Sequence, residues 1–257
     1  MEPTVHLRSV DISFAVPGRP PFHAVRGAEL SVGPGEFVSI VGPTGCGKST
    51  LLNAAAGLLT PAAGQVVIEG QPLQGLNRKA GYLFQADALM PWKTAGDNVA
   101  IGLEVAGVPR REAVARAHDW LVRVGLRGFA DRYPHMLSGG QRKRVALAQM
   151  LIRDPDILLM DEPFGALDEI VRDRLNEALL ALWRKTGKTI GFVTHSIPEA
   201  VYLSTRIVVM SPRPGRITRV IESTLPRDRP LDIRDTPEFI RIAHEVREGL
   251  REGHGHD

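Results

Sequence analysis

The stretch GPTGCGKST, Gly42–Thr50, constrains this chain more than any other part of it. A short β-branched run, EFVSIV, precedes it, and the apolar helix former KSTLLNAAAGLL follows. The pattern G-x-x-x-x-G-K-[ST] therefore lies between a strand and a helix start, the context a phosphate-binding loop requires. Gly42, Gly45 and Gly47 let the backbone curl so that successive N–H groups face an anion. Lys48 is placed to neutralise β- and γ-phosphates, and the Ser49 hydroxyl can ligate Mg²⁺. The whole loop, Gly42, Pro43, Thr44, Gly45, Cys46, Gly47, Lys48, Ser49 and Thr50, is expected to hold ATP. Cys46 is the chain's one cysteine, which excludes a disulfide framework and points to a reducing compartment. It reads as a small residue fitting the loop's curve. A thiol near a helix start also ionises easily, so alkylating Cys46 is expected to block ATP binding.

A second element, ILLMDEP at Ile157–Pro163, puts an acidic pair directly after a buried apolar run. Asp161 would stand at the carboxyl end of a strand, where ligands of parallel sheets collect, and hold the Mg²⁺ shell opposite Ser49. Glu162 is then the candidate general base for an attacking water.

Around these motifs the chain alternates strand and helix. Val5–Val16 and Glu29–Val32 read as strands separated by the turn-rich PGRPP, and Gln65–Glu69 as another closed by Gly70-Gln71-Pro72. The first helix is expected to stop at Thr60-Pro61. From about 86 to 150 the pattern is helical, with Val114, Ala117, Leu121 and Val124 recurring in REAVARAHDWLVRVGL until Gly125. DILLMD, VRDRLNEALLALWRKTG, KTIGFVTH, a helix from Pro198 and RIVVMS restore the alternation. The expected fold class is α/β, with a mostly parallel core sheet, an N-terminal antiparallel β layer and an inserted helical subdomain. A last helix is expected over Thr236–Glu252, with Phe239, Ala243, Val246 and Leu250 on one face and a frayed GHGHD tail. The division is 1–223 for the main domain and 224–257 for a C-terminal extension. No apolar run reaches the ~18–20 residues of a membrane span, and no leader pattern is visible. The net charge of +3 is spread in short clusters, which fits solvated faces better than a nucleic-acid surface.

LSGGQRKR, Leu137–Arg144, runs a glycine pair into a helix former and reads as a second, lysine-free anion site. With these motifs in this order, the chain resembles the ATPase subunit of ABC transporters from about Val5 to Ile221. The resemblance implies a P-loop ATPase using ATP and Mg²⁺. It assigns Phe14 to stacking on adenine, and Gln85 to Mg²⁺ and to sensing the γ-phosphate. Metal contacts would come from Ser49, Gln85 and, through a water, Asp161. Ser138, Gly139, Gly140 and Gln141 become the signature that completes a partner's pocket in trans. Ala166-Leu167-Asp168 becomes a loop between subunits, and His195 the switch histidine beside the catalytic Glu162. Ser196 stands where the family commonly has aspartate. With Glu199 it has the spacing of a capping box.

The resemblance further implies a homodimer closed by ATP, integral membrane permease subunits and, indirectly, a periplasmic or lipid-anchored solute-binding protein. The expected location is the cytoplasmic face of the bacterial inner membrane. Leu89, Met90 and Trp92 are expected to offer exposed anchors to the permease. LMPWKT, EPFGALD and VVMSPRPGRI resemble the importer branch serving nitrate, sulfonates, taurine and pyrimidine-type precursors. No nucleic acid is expected. The competing reading is an ABC-type ATPase acting on nucleic acid in repair or chromosome organisation. Such proteins usually carry a coiled-coil or zinc insertion in the helical lobe, or a second ATPase domain, and this chain has neither.

Overall fold

Apolar residues on alternate positions give VHLRSVDISFAV one buried face, and strand β1 (Val5–Val16) forms with Val5, Leu7, Val10 and Ile12 inward. Ser9, at φ 47°, makes a bulge that resets the alternation between Leu7 and Val10. The computed structural model describes residues 2–86, 88–165 and 167–254. Met1, Asp87, Ala166 of the loop that the resemblance assigns between subunits, and the Gly255–Asp257 tail lie outside them.

Strand β2 (Arg19–Val32) pairs antiparallel with β1 and begins directly after Pro17-Gly18. The expected PGRPP connection is thus mostly strand, because a Gly18 at φ 68° closes the hairpin alone. Strands β4 (Ala63–Ile68) and β5 (Gln71–Pro72) complete a sheet ordered β2-β1-β4-β5. Its apolar face covers helix α1 (Lys48–Ala55).

The core sheet runs β10-β9-β3-β8-β7-β6. Strands β3 (Phe37–Val41), β6 (Ala80–Leu83), β7 (Ile157–Asp161), β8 (Thr189–Val193) and β9 (Arg206–Met210) are mutually parallel, and β10 (Ile217–Glu222) adds antiparallel at the edge. Every residue of β3 and β7 is buried, as strands covered on both faces must be, which is why FVSIV and ILLM read as unbroken apolar runs. The half-exposed β10 carries no such run and gave no signal in the sequence.

Helix α1 ends at Ala55, five residues before Thr60-Pro61. Leu58 N–H donates to Asn53 O (2.9 Å) and Gly57 N–H to Ala54 O (3.0 Å), with Gly57 at φ 71°. That pair of bonds around a left-handed residue stops a helix before any proline can.

Between β6 and β7 lie helices α2 (Ala95–Val105), α3 (Arg110–Arg123) and α4 (Gly139–Leu151), around a core of their own. The buried stripe of α3 is Ala113, Ala117 and Leu121, while Val114 and Val124 sit at its margin. Helix α4 serves two cores: Val145 and Ala148 face the helices, and Ala146, Leu147, Met150 and Leu151 face the sheet. Helices α5 (Glu169–Thr186) and α6 (Ile197–Leu203) cover the sheet beside it. The chain then forms a short 3-10 helix (Leu231–Asp235) and helix α7 (Pro237–His254), whose Phe239, Ile242 and Val246 are buried against α6, β9 and β10.

Candidate active site

Helix α1 starts inside the glycine loop. Gly47 is its N-cap at φ 100°, and a Cβ there would strike Val25 Cγ2 at 2.6 Å, so only glycine fits. Lys48, 6% exposed, curls back and donates to the carbonyls of Gly42 (2.8 Å) and Pro43 (2.9 Å). A buried ammonium held by backbone carbonyls and the neutral Cys46 Sγ (4.0 Å), with no carboxylate bonded to it among the described residues, is a cation positioned for an anion at the loop's mouth. Cys46 is packed under the loop at 1% exposure, and burial pushes its thiol pKa up despite the nearby Lys48. That burial fits the reading of Cys46 as a small residue packed into the loop's curve, and it runs against an easily ionised thiol, because the loop's own packing removes the water that a thiolate needs.

The loop opens into a cleft of about 330 Å³ lined by Phe14, Thr44, Gly45, Gly47, Lys48, Ser49, Thr50, Gln85 and Glu162, together with Phe22, Ala24 and Arg213. Asp161 stands just behind it, 5% exposed, accepting a hydrogen bond from Ser49 Oγ at 2.9 Å. Burial raises the Asp161 pKa, and the Ser49 hydroxyl works against that rise. Glu162 has φ 45°, a left-handed conformation rare for a glutamate, fixed by its N–H donating to Val193 O (2.9 Å). The turn carries its carboxylate to Gln85 Nε2 (3.0 Å) and His195 Nδ1 (3.4 Å). β6, β7 and β8 thus bring Gln85, Glu162 and His195 together at the carboxyl ends of three parallel strands. The hard oxygen donors of Ser49, Asp161 and Gln85 suit Mg²⁺. When bound, that ion would supply charge neutralisation for phosphate oxygens.

Ser138–Gln141 and Asp168 do not line this cleft. Ser138 caps α4 in a reciprocal box, its Oγ accepting from Gln141 N–H (3.2 Å) and its N–H donating to Gln141 Oε1 (2.8 Å). Asp168 caps α5 by accepting from Val171 N–H at 2.9 Å. Ser196 caps α6 in the same way, accepting from Glu199 N–H (3.3 Å). The expected capping box is only half made there. Glu199 turns inward to accept from Thr194 Oγ1 (2.6 Å), and Thr194 Oγ1 accepts from Ser196 N–H (3.0 Å).

Two residues that line the cleft and one that braces its glutamine segment were given no role from the sequence. Phe22 and Arg213 line it, and the buried Lys143 of α4 donates to Phe84 O (2.9 Å) and to Gln85 O. Lys143 thereby ties the glutamine segment to the helix that begins at Ser138. The paired Phe14 and Phe22 alternation could have flagged Phe22; Lys143 and Arg213 act across 58 and 168 residues and leave no local signal. Of the expected anchors, Leu89 packs inward and Met90 is held by Asn98 Oδ1 through its N–H (2.7 Å), leaving only Trp92, at 73%, exposed.

A parallel α/β sheet with a lysine loop, an acidic strand end and a glutamate–histidine pair in one cleft defines a nucleotide-hydrolysing protein of the P-loop class. The sequence pattern of the ABC transporter family matches residues 25–165. The taurine import ATP-binding protein TauB of Rhizobium johnstonii is 45% identical over 230 residues, 88% of either chain. An uncharacterised ABC transporter ATP-binding protein of Methanocaldococcus jannaschii is 48% identical over 208 residues, covering 80% of this chain and 78% of its own. Among solved structures, a dimeric ATP-binding cassette in a post-hydrolysis state with ADP and Pi superposes with a TM-score of 0.78 at 34% identity, covering 85% of this chain and 98% of that one. The chain belongs to the ABC transporter family, and it is an ATPase that works on ATP with Mg²⁺.

Proposed function

We propose that this chain energises uptake of a small solute through a separate membrane permease, and that ATP does so by closing two copies head-to-tail. The observation that carries this reading is the separation of the two anion-binding elements. The Lys48 cleft contains no signature residue, while Ser138 at the start of the signature helix is exposed and Gly139–Gln141 are half-buried, which supports a second copy completing the pocket. Support for the dimer comes from the dimeric cassette that superposes on the chain. Support for uptake comes from the relatives whose names record taurine import. Nothing comparable favours a nucleic-acid role.

In this reading Lys48 and the loop N–H groups hold the phosphates, and Phe14 stacks on the base. Glu162 takes the proton of the attacking water as its oxygen bonds to the γ-phosphorus and the β–γ bridging bond breaks, releasing ADP and phosphate. His195 and Gln85 hold the Glu162 carboxylate toward that water.

The permease would dock beside the helical region. A hollow of about 320 Å³ there includes Phe84, Ile101, Gly102, Met150 and Arg153, and it continues past the exposed Leu58, Leu76 and Val105. Trp92 does not line it. Among the described residues no helix is long and apolar enough to cross a membrane. The chain is placed in this reading at the cytoplasmic face of the inner membrane by its partner, with a solute-binding protein delivering cargo outside. The test is fractionation with and without a co-expressed permease. Membrane association that requires the permease and ignores nuclease is expected; association abolished by nuclease would overturn the reading.

A further inference from the structure

The segment SPRPGR, 211–216, between β9 and β10 is wedged against the glycine loop. Gly215 N–H donates to Ala24 O (2.9 Å), Arg26 N–H donates to Gly215 O (2.9 Å), and Val25 and Gly215 form a parallel bridge. The contact is close enough that a Cβ on Gly215 would run into the Cys46 carbonyl. From this wedge Arg213 turns into the cleft. Its Nε donates to Gly45 O at 2.7 Å, and its guanidinium lies over the Phe22 ring, 5.1 Å from the centroid. One edge is thus fixed by a carbonyl and one face by a ring, which immobilises the planar group. Among the described residues, its terminal nitrogens donate to no protein acceptor.

Phe22 is the cross-strand partner of Phe14, so both rings stand on one face of the β1–β2 hairpin with Cβ atoms about 4.5–5.5 Å apart. Both are partly exposed, at 39% and 41%. Arg213 covers the first, and the second is open to the cleft. A nucleotide whose phosphates follow Gly45 to Ser49 carries its base out beside these rings. A base laid on Phe14 would lie beside the Arg213-covered Phe22, where the Arg213 N–H groups could reach ring acceptors such as N1, N3 or N7.

We propose that Arg213, held by Phe22 and Gly45, is a specificity-determining residue that contacts the base of the bound nucleotide and favours purines. The inference rests on the reading of this cleft as the ATP site. Arg213 supplies donors to purine ring nitrogens, and the stacked pair of Phe22 and guanidinium extends the surface beside Phe14 to the size of a two-ring base.

The alternative is that Arg213 merely braces the glycine loop through Gly45 O. The two differ in which ligands suffer. Dissociation constants for ATP, GTP, UTP and Mg-tripolyphosphate would be measured by displacement of a fluorescent nucleotide, on the unaltered chain, Arg213→Ala, Arg213→Lys and Phe22→Leu. Arg213→Ala should weaken ATP about tenfold, collapse the preference for ATP over UTP and leave tripolyphosphate unchanged. Arg213→Lys should not restore the preference, since a point charge neither stacks nor forks, and Phe22→Leu should shift it the same way by less. An equal loss across all four ligands, or none at all, would overturn the proposal. If Lys48→Ala binds ATP as well as the unaltered chain, or the unaltered chain binds none, the reading of the cleft fails and takes this inference with it.

Discussion

At the scale of single residues, Glu162 shows how the fold invests strain in chemistry. A glutamate at φ 45° costs about 1–3 kcal/mol, and the bond from its N–H to Val193 O holds it there. The return is a carboxylate aimed between Gln85 and His195 at the mouth of the cleft. Replacing Glu162 with Gln keeps size and backbone and removes only the proton acceptor. ATP affinity should persist and steady-state turnover fall at least ~10²-fold, read from phosphate release. Near-normal turnover would move the base to another residue. Lys48→Ala should instead lose ATP binding altogether, because the ammonium that Gly42 and Pro43 hold has no substitute in the loop; calorimetric titration decides it. Asp161, Glu162 and Lys48 were legible in the sequence because each is tied to a local pattern, a loop or a strand end. Cys46 was legible as a small residue fitting the loop, but the depth of its burial was not, because the sequence shows its neighbours along the chain and not the β-layer packed on it.

At the scale of elements, α6 depends on a residue far outside it. Arg229, 3% exposed, donates from one terminal nitrogen to the carbonyls of Val201 (3.3 Å), Tyr202 (2.8 Å) and Ser204 (3.0 Å) at the helix's end, and from Nε to Pro226 O (2.6 Å). Burial lowers its pKa to about 10, still charged at neutral pH, so the cation complements the helix's negative end. Tyr202 Oη donates back to Arg229 O at 3.0 Å, which locks the segment before α7 onto the element that follows His195. Arg229→Ala should destabilise the fold by about 2–4 kcal/mol, since several buried carbonyls lose their donor. A shift in urea midpoint measures it; a midpoint equal to that of the unaltered chain would contradict the account. None of this was visible in the sequence, where Arg229 lies in a proline-rich stretch without periodicity. Strand β10 escaped notice for a related reason, being an edge strand in which only Ile221 is fully buried. The buried strands β3 and β7 announced themselves because burial on both faces demands continuous apolar runs.

At the scale of the whole molecule, the proposed pocket would be shared between two copies, since a single chain keeps its two anion-binding elements apart. Lys48, Ser49, Asp161 and Glu162 gather at one end of the core sheet, while Ser138–Gln141 begin α4 at the surface of the helical region, outside the cleft. Lys143 connects the two halves mechanically, running from α4 to the carbonyls of Phe84 and Gln85 next to the cleft. A shift of the helical region would therefore move Gln85 against Glu162, and that is how closure and hydrolysis would be coupled. The order of motifs in the sequence was enough to expect a trans arrangement through family resemblance. The Lys143 link that would transmit closure is a long-range contact, and no local pattern encodes it. The most direct test of the central claim is light scattering on purified Glu162→Gln protein with and without Mg-ATP, counting bound nucleotide in the same sample. The account predicts a monomer without ATP and a dimer holding two nucleotides with it. A monomer that binds ATP tightly, unchanged by added Mg²⁺ and nucleotide, would contradict it.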